Sequence, residues 1–192
     1  TGAFSGFLIS YVGMSNFIAT LAGMQMWRGV SYLITNARSI VITSDVMNFI
    51  GRGRTVGVPN AAILLIILLV AFSLMAKYTS FGRRIFVIGG SQKVAYLSGI
   101  NVDLYKIITY GVGGLIVSIA ALILGARLDS ITATAGDGYE TDALVAAIMG
   151  GVTFEGGRGT VLGAFLGCLL TGIISNALDI LGVHAYVKVV IS

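Results

Sequence analysis

The sequence predicts an all-α fold, a polytopic transmembrane helical bundle. Three observations carry this expectation. Of the 192 residues, 56% are hydrophobic and 10% are charged, whereas an ordinary soluble domain carries roughly 25% charged residues and has no interior large enough to hide so much apolar surface. Uncharged, mostly apolar stretches of about 20 residues recur, the length that crosses a hydrocarbon core about 30 Å thick at about 1.5 Å per helical residue. The 27 glycines against a single proline fit helices that approach one another closely, not a Pro-rich linker.

Taken in order, residues 2–27 carry no charge but are too long for one comfortable span. Gly13, Ser15 and Asn16 punctuate them, so the expectation is a helix end over 2–12, a turn at 13–15 and a helix over 16–34. Residues 56–76 form an uncharged span with Pro59 near its start, where a helix tolerates proline. Residues 107–126 and 159–178 form two more. The apolar run 143–149 is too short to cross and predicts a re-entrant segment or half-helix near 141–150, tolerated at membrane depth only if protein buries it. A further span begins over 180–191. Thr1 and Ser192 both fall inside apolar runs. The expectation is a piece of a larger membrane protein, with 1–192 a single transmembrane domain incomplete at both ends and 78–105 a loop between spans.

Charge between the spans gives an orientation. The segment 77–106 holds Lys77, Arg83, Arg84, Lys93 and Lys106 against Asp103, whereas 127–158 holds Arg127 and Arg158 against Asp129, Asp137, Glu140, Asp142 and Glu155. Cytoplasmic loops are enriched in Lys and Arg, which puts 77–106 inside and 127–142 outside. Counting back one span puts 28–55 outside too, although Arg28, Arg38, Arg52 and Arg54 outnumber Asp45 there. The net charge of +4 comes without a basic patch interleaved with aromatics, so nucleic acid is not an expected partner. Cys168 and His184 each stand alone, so neither a disulfide nor a thiolate metal site forms within the chain. No catalytic, cofactor or metal residues are expected.

Several motifs have two readings. Gly159, Gly163 and Gly167 recur every four residues, a groove for another helix backbone and hence packing. Tyr110, Gly114, Ser118, Ala121 and Gly125 form a similar face. Asn16, Thr20, Gly23, Trp27 and Ser31 share one face of a helix. That face serves either as a polar interhelical contact or as a wall of a substrate path, to which Asn16, Thr20, Trp27 and Asn176 are the candidate contributors. The glycines of 150–160 lack the lysine of a phosphate loop and belong to turns. Asp137, Glu140 and Asp142 precede a short helix, where acidic groups complement the N-terminal dipole. Asp179 sits at an interface or faces protein, because a charge at the bilayer centre costs about 2.5–3.5 kcal/mol.

The stretch FGRRIFVIGGSQKVAYLSGI, residues 81–100, interrupts the apolar pattern. Arg83 and Arg84 hold a helix end at anionic lipid, at about 1 kcal/mol each. Gly89-Gly90 breaks the chain, Ser91 caps a helix of about two turns over 92–98, and Gly99 ends it. So short a helix is marginal alone and makes sense if it docks on something.

These blocks, with FIATLAGMQMWRGVSYLI, AGDGYETDALVAAIMGG and GGRGTVLGAFLGCLLTGIISNAL in that order, resemble the membrane-spanning permease subunits of bacterial ABC importers for ribose, xylose and related sugars. Ser91 and Val94-Ala95 stand where that family usually has Asn and a pair of alanines. The resemblance implies a non-enzymatic transport subunit in a bacterial inner membrane, without cofactor. It also implies a cytoplasmic coupling segment of Gly89, Gly90, Ser91, Gln92, Lys93, Ala95, Tyr96, Leu97, Ser98, Gly99 and Ile100 against a separate ABC ATPase subunit. Its other implied partners are a second permease subunit, a periplasmic or extracellular sugar-binding protein and the lipid bilayer. The alternative is an ion-gradient-driven secondary transporter, pointed to by Asn176 and Asp179. An intramembrane enzyme lacks a nucleophile–base or metal constellation in this sequence.

Overall fold

A computed structural model describes residues 2–36, 38–41, 45–55, 57–154 and 156–182. Glu155, His184 and most of the span expected over 180–191 lie outside the described residues. The chain divides into two compact units, Thr1–Ile66 with Asn101–Ala135 and Ile67–Ile100 with Gly136–Ser192. Among the described residues, three helices are long and apolar enough to cross a membrane. They are α4 (Asn60–Tyr78), α7 (Val102–Leu128) and α9 (Val161–Ile180).

In the first unit α1 (Gly2–Tyr11) lies antiparallel on α7. A Cβ on Gly2 would strike the Tyr110 carbonyl, a Cβ on Gly6 would come within 2.9 Å of Ile107 Cα, and Ser10 Oγ donates to the Asp103 carbonyl at 3.3 Å. The partners descend along α7 as α1 ascends, in steps of three or four residues, so one helical face seats the other. α2 (Asn16–Thr35) follows the turn at Gly13, whose φ of +73° favours glycine. Beyond α2, β1 (Ile40–Val41) pairs antiparallel with β4 (Ser130–Ile131), just past the end of α7. Ser10 is thus level with the start of α7 and Ile40 with its end, and α2 lies in the chain between these two points.

Hydrogen bonds tie the end of α3 (Asp45–Arg52) to the start of α4. α3 packs on α7, where Gly51 leaves no room for a Cβ beside Ala126. A short hairpin follows, β2 (Arg54–Thr55) with β3 (Val58–Pro59). Asn60 joins the two ends, its Nδ2 donating to the Phe49 carbonyl at 2.8 Å and its Oδ1 accepting from Thr55 Oγ1 at 2.6 Å. The span expected over 56–76 therefore begins at Asn60 and ends at Tyr78, because Val58 and Pro59 are committed to the hairpin. Arg52 binds the Arg127 carbonyl and pairs with Asp129. One of the basic residues that ran against the charge rule is thereby matched by an acid in its own unit.

In the second unit α4 meets α5 (Ser80–Gly90) at a sharp corner. Thr79 Oγ1 caps α5 by accepting from Gly82 N at 3.1 Å, and a Cβ on Gly82 would lie 2.6 Å from Ala76 Cα. Arg83 donates to the Tyr78 carbonyl at 3.2 Å and to Ser80 Oγ at 3.1 Å, satisfying a backbone acceptor left open at the end of α4. Gly89 and Gly90 do not break the chain as expected. Both are helical, and α5 ends at Gly90 with the extended Ser91 as its C-cap. Gly89 is required by close approach, since a Cβ there would lie 2.9 Å from Gly157 Cα.

α8 (Tyr139–Met149) packs antiparallel on α9. Gly150 and Gly163 touch through their backbones, and Gly167 sits against the Ala146 carbonyl. Thr160 caps α9, its Oγ1 accepting from Gly163 N at 2.9 Å. Gly159 lies ahead of this cap, at φ +133°, where a Cβ would meet Val152; it is not part of the helical ladder expected from the four-residue spacing. With 11 residues, α8 is about 16 Å long and is a half-helix. Stepping four residues from the Ala146–Gly167 contact puts Asp142 level with Thr171, midway along α9. The short helix is thus held beside α9 and not past its end.

Candidate functional site

The first candidate is α6 (Gln92–Leu97), set between α5 and α7 in the chain. Its N-terminus is capped by Ser91 Oγ, which accepts from Val94 N at 3.4 Å. At its C-terminus Ile100 N donates to the Ala95 carbonyl at 3.1 Å and Gly99 N to the Tyr96 carbonyl at 3.0 Å, while Gly99 adopts φ +73°. This nested pair of bonds closes the helix, with Ser98 as its C-cap and the left-handed Gly99 after it. Six residues do not hold a helix alone; the caps and packing on α5 do.

The burial of α6 is one-sided. Ala95 is fully buried, whereas Tyr96 and Leu97 are each 76% exposed and Val94 is 55% exposed. Gln92, Lys93, Ser98 and Gly99 are exposed, and Ser91 and Ile100 are half-buried. Ala95 therefore seats the helix. The outward surface is Val94, Tyr96 and Leu97, and nothing in the sequence pattern alone separated the two roles.

The second candidate is an open cleft of about 460 Å³ between α1, α2 and α7. Thr20, Met24 and Trp27 of α2 face Tyr110, Gly113 and Val117 of α7 across it. Thr20 Oγ1 donates back to the Asn16 carbonyl at 2.9 Å, and Ser31 Oγ to the Trp27 carbonyl at 2.9 Å. Their donors are thus satisfied within the helix, and Thr20 keeps acceptor lone pairs. Asn16 is exposed one turn before Thr20 and is not among the lining residues. Asn176 is exposed on α9 in the second unit. Tyr110, which the spacing places on a packing face, lines the cleft, and so do Met24, Gly113 and Val117, which the sequence reading did not single out. The signal for Tyr110 was a position on the small-residue face of α7, where an aromatic has open space beside it.

Among the described residues, no group of three or more His, Cys, Asp or Glu side chains is placed to hold a metal ion. Cys168 is exposed on α9.

A family model described as branched-chain amino acid transport system / permease component matches residues 1–192. The ribose import permease protein RbsC of Escherichia coli (strain K12) is 38% identical over 194 residues, 99% of this chain and 60% of that protein. RbsC of Bacillus subtilis (strain 168) is 38% identical over 189 residues, covering 97% and 59%. The D-allose transport system permease protein AlsC of Escherichia coli (strain K12) is 32% identical over 191 residues, covering 99% and 58%. The chain thus spans about 60% of the length of the curated relatives it matches. No solved structure matches.

Proposed function

The chain belongs to the family of branched-chain amino acid transport system permease components, and from that premise we propose that it is the membrane-spanning permease part of an ABC importer for a monosaccharide. Two relatives in that family are named for ribose and D-allose import, which favours a sugar over an amino acid as cargo. The observation that carries the mechanism is α6, capped at both ends, with Tyr96 and Leu97 turned outward. An exposed aromatic and an exposed leucine on a short rigid helix suit a partner's pocket.

In this reading α6 docks the ATPase subunit in the cytoplasm, and ATP hydrolysis belongs to that subunit. A binding protein delivers the sugar on the opposite side of a bacterial inner membrane, and a second permease subunit completes the path. The cleft offers a wall for it. Its volume of about 460 Å³ falls within the roughly 300–1,000 Å³ of small-molecule sites. Trp27 and Tyr110 supply flat faces for the C–H surface of a sugar, and Thr20 accepts from a sugar hydroxyl.

The test is uptake of labelled ribose into vesicles carrying the full-length permease with its ATPase and binding protein. Uptake is expected to need ATP inside and to survive collapse of the proton and sodium gradients. Uptake that follows a gradient without ATP would replace this reading with that of a secondary transporter.

A further inference from the structure

Two glycine pairs remote in sequence meet backbone to backbone in the second unit. A Cβ on Gly157 would lie 2.6 Å from Gly90 Cα and 2.8 Å from the Gly89 carbonyl carbon, and a Cβ on Gly89 would collide with Gly157 in turn. Gly156 and Gly157 hold φ of +89° and +75°, a left-handed conformation that side chains resist. Thr153 fixes the loop in this shape. Its Oγ1 donates to the Gly156 carbonyl at 2.9 Å and its N–H to the Arg158 carbonyl at 3.2 Å. On one side of the contact, Gly90 is followed by Ser91, which caps α6. On the other, the loop joins the end of α8 to the start of α9, two helices themselves held by the Gly150–Gly163 and Ala146–Gly167 contacts.

We propose that the Gly89-Gly90 contact with Gly156-Gly157 is the joint through which movement of α6 is passed to the α8–α9 pair, with these glycines as positioning residues. The proposal rests on the permease reading, in which the ATPase moves α6. Backbone-to-backbone contact suits a joint, because no flexible side chain lies between the elements to absorb a displacement, and close-packed elements shift as bodies. The loop cannot yield to α6 without carrying the end of α8, whose first turn lies level with the middle of α9. A displacement applied at α6 therefore arrives halfway along a membrane-spanning helix.

The experiment uses the full-length permease in complex with its ATPase and binding protein, in vesicles, and reads sugar transported per ATP hydrolysed alongside ATPase association. Gly157→Ala is expected to keep association and hydrolysis while transport per ATP falls at least tenfold. Thr153→Val loosens the loop without adding bulk, and is expected to lower the same ratio about threefold, which guards against a folding failure in the glycine variant. Gly172→Ala, on α9 with open space at its Cβ, is expected to behave as wild type. An unchanged ratio in Gly157→Ala or in Thr153→Val, with wild type active, overturns the joint alone. Parallel loss of association, hydrolysis and transport in Thr153→Val also overturns it, in favour of a general structural role. Absence of ATP-driven uptake by wild type overturns the permease reading, and the joint with it.

Discussion

Arg52 reaches from α3 to the Arg127 carbonyl in the last turn of α7, with Nε at 3.3 Å and Nη2 at 3.1 Å, while the same guanidinium pairs with Asp129. One side chain thus satisfies an open helix-end carbonyl and an adjacent carboxylate. Both partners are about half exposed, at 48% and 51%, so the ion pair is screened and contributes about 0.5 kcal/mol. Asp129→Asn is therefore expected to lower thermal stability in detergent only slightly. Arg52→Ala is expected to lower it more, because the Arg127 carbonyl loses its donors as well. Equal effects would mean the carbonyl bonds contribute nothing.

At Gly6, α1 lies against the α7 backbone, with room for no Cβ. Gly6→Val is expected to destabilise the protein by about 1–3 kcal/mol through overpacking. Gly29→Val, on α2 with open space at its Cβ, should cost much less. Melting curves of the two variants, compared in one detergent, check the difference.

Gly99 ends α6 at φ +73°. Gly99→Ala is expected to cost about 1–2 kcal/mol in that left-handed position. Hydrogen exchange at the Gly99 and Ile100 amides, which bond back into α6, should then speed up roughly 5–30-fold. Unchanged exchange would show that packing on α5, and not the cap, holds the helix.

On the proposed ATPase-facing surface, Tyr96→Ala and Leu97→Ala are expected to weaken association with the ATPase at least tenfold each, about 1.4 kcal/mol. Membrane insertion should stay intact, since both side chains are 76% exposed. Ala95 is fully buried, so Ala95→Glu should instead unseat α6 and raise its protease sensitivity. Co-purification together with limited proteolysis separates the two effects.

Trp27 lines the cleft and is 37% exposed. In the proposed sugar path, Trp27→Ala is expected to lower sugar uptake about tenfold, with Trp27→Phe restoring most of it because a flat face suffices. Full uptake by Trp27→Ala would make the cleft a seat for another helix and not a path.

Much of the fold was legible in the chain because hydrophobic length is a local property. The long apolar helices, the start of α2 at Asn16, the half-helix near 141–150 and the cap–helix–glycine pattern of Ser91 to Gly99 all follow from residue type and spacing. Misreadings fell where glycine was the cue. Gly89-Gly90 looked like a chain break and is helical; Gly159 looked like a rung of a helical ladder and precedes the helix. Glycine permits both a turn and a close approach, and only the neighbour's position tells them apart. The candidate sites divide similarly. The existence of α6 was readable, but the contrast between buried Ala95 and exposed Tyr96 needed its packing on α5.

By itself, then, the sequence determined the membrane-spanning character, the order of the long apolar helices and the cap of α6 at Ser91, since burial of apolar length and satisfaction of helix ends depend on residues close together in the chain. Only the tertiary structure decided which glycines meet. Contacts such as Gly89 with Gly157 and Gly6 with Ile107 join residues far apart in sequence. A missing side chain leaves no mark on the residues beside it that would name its partner.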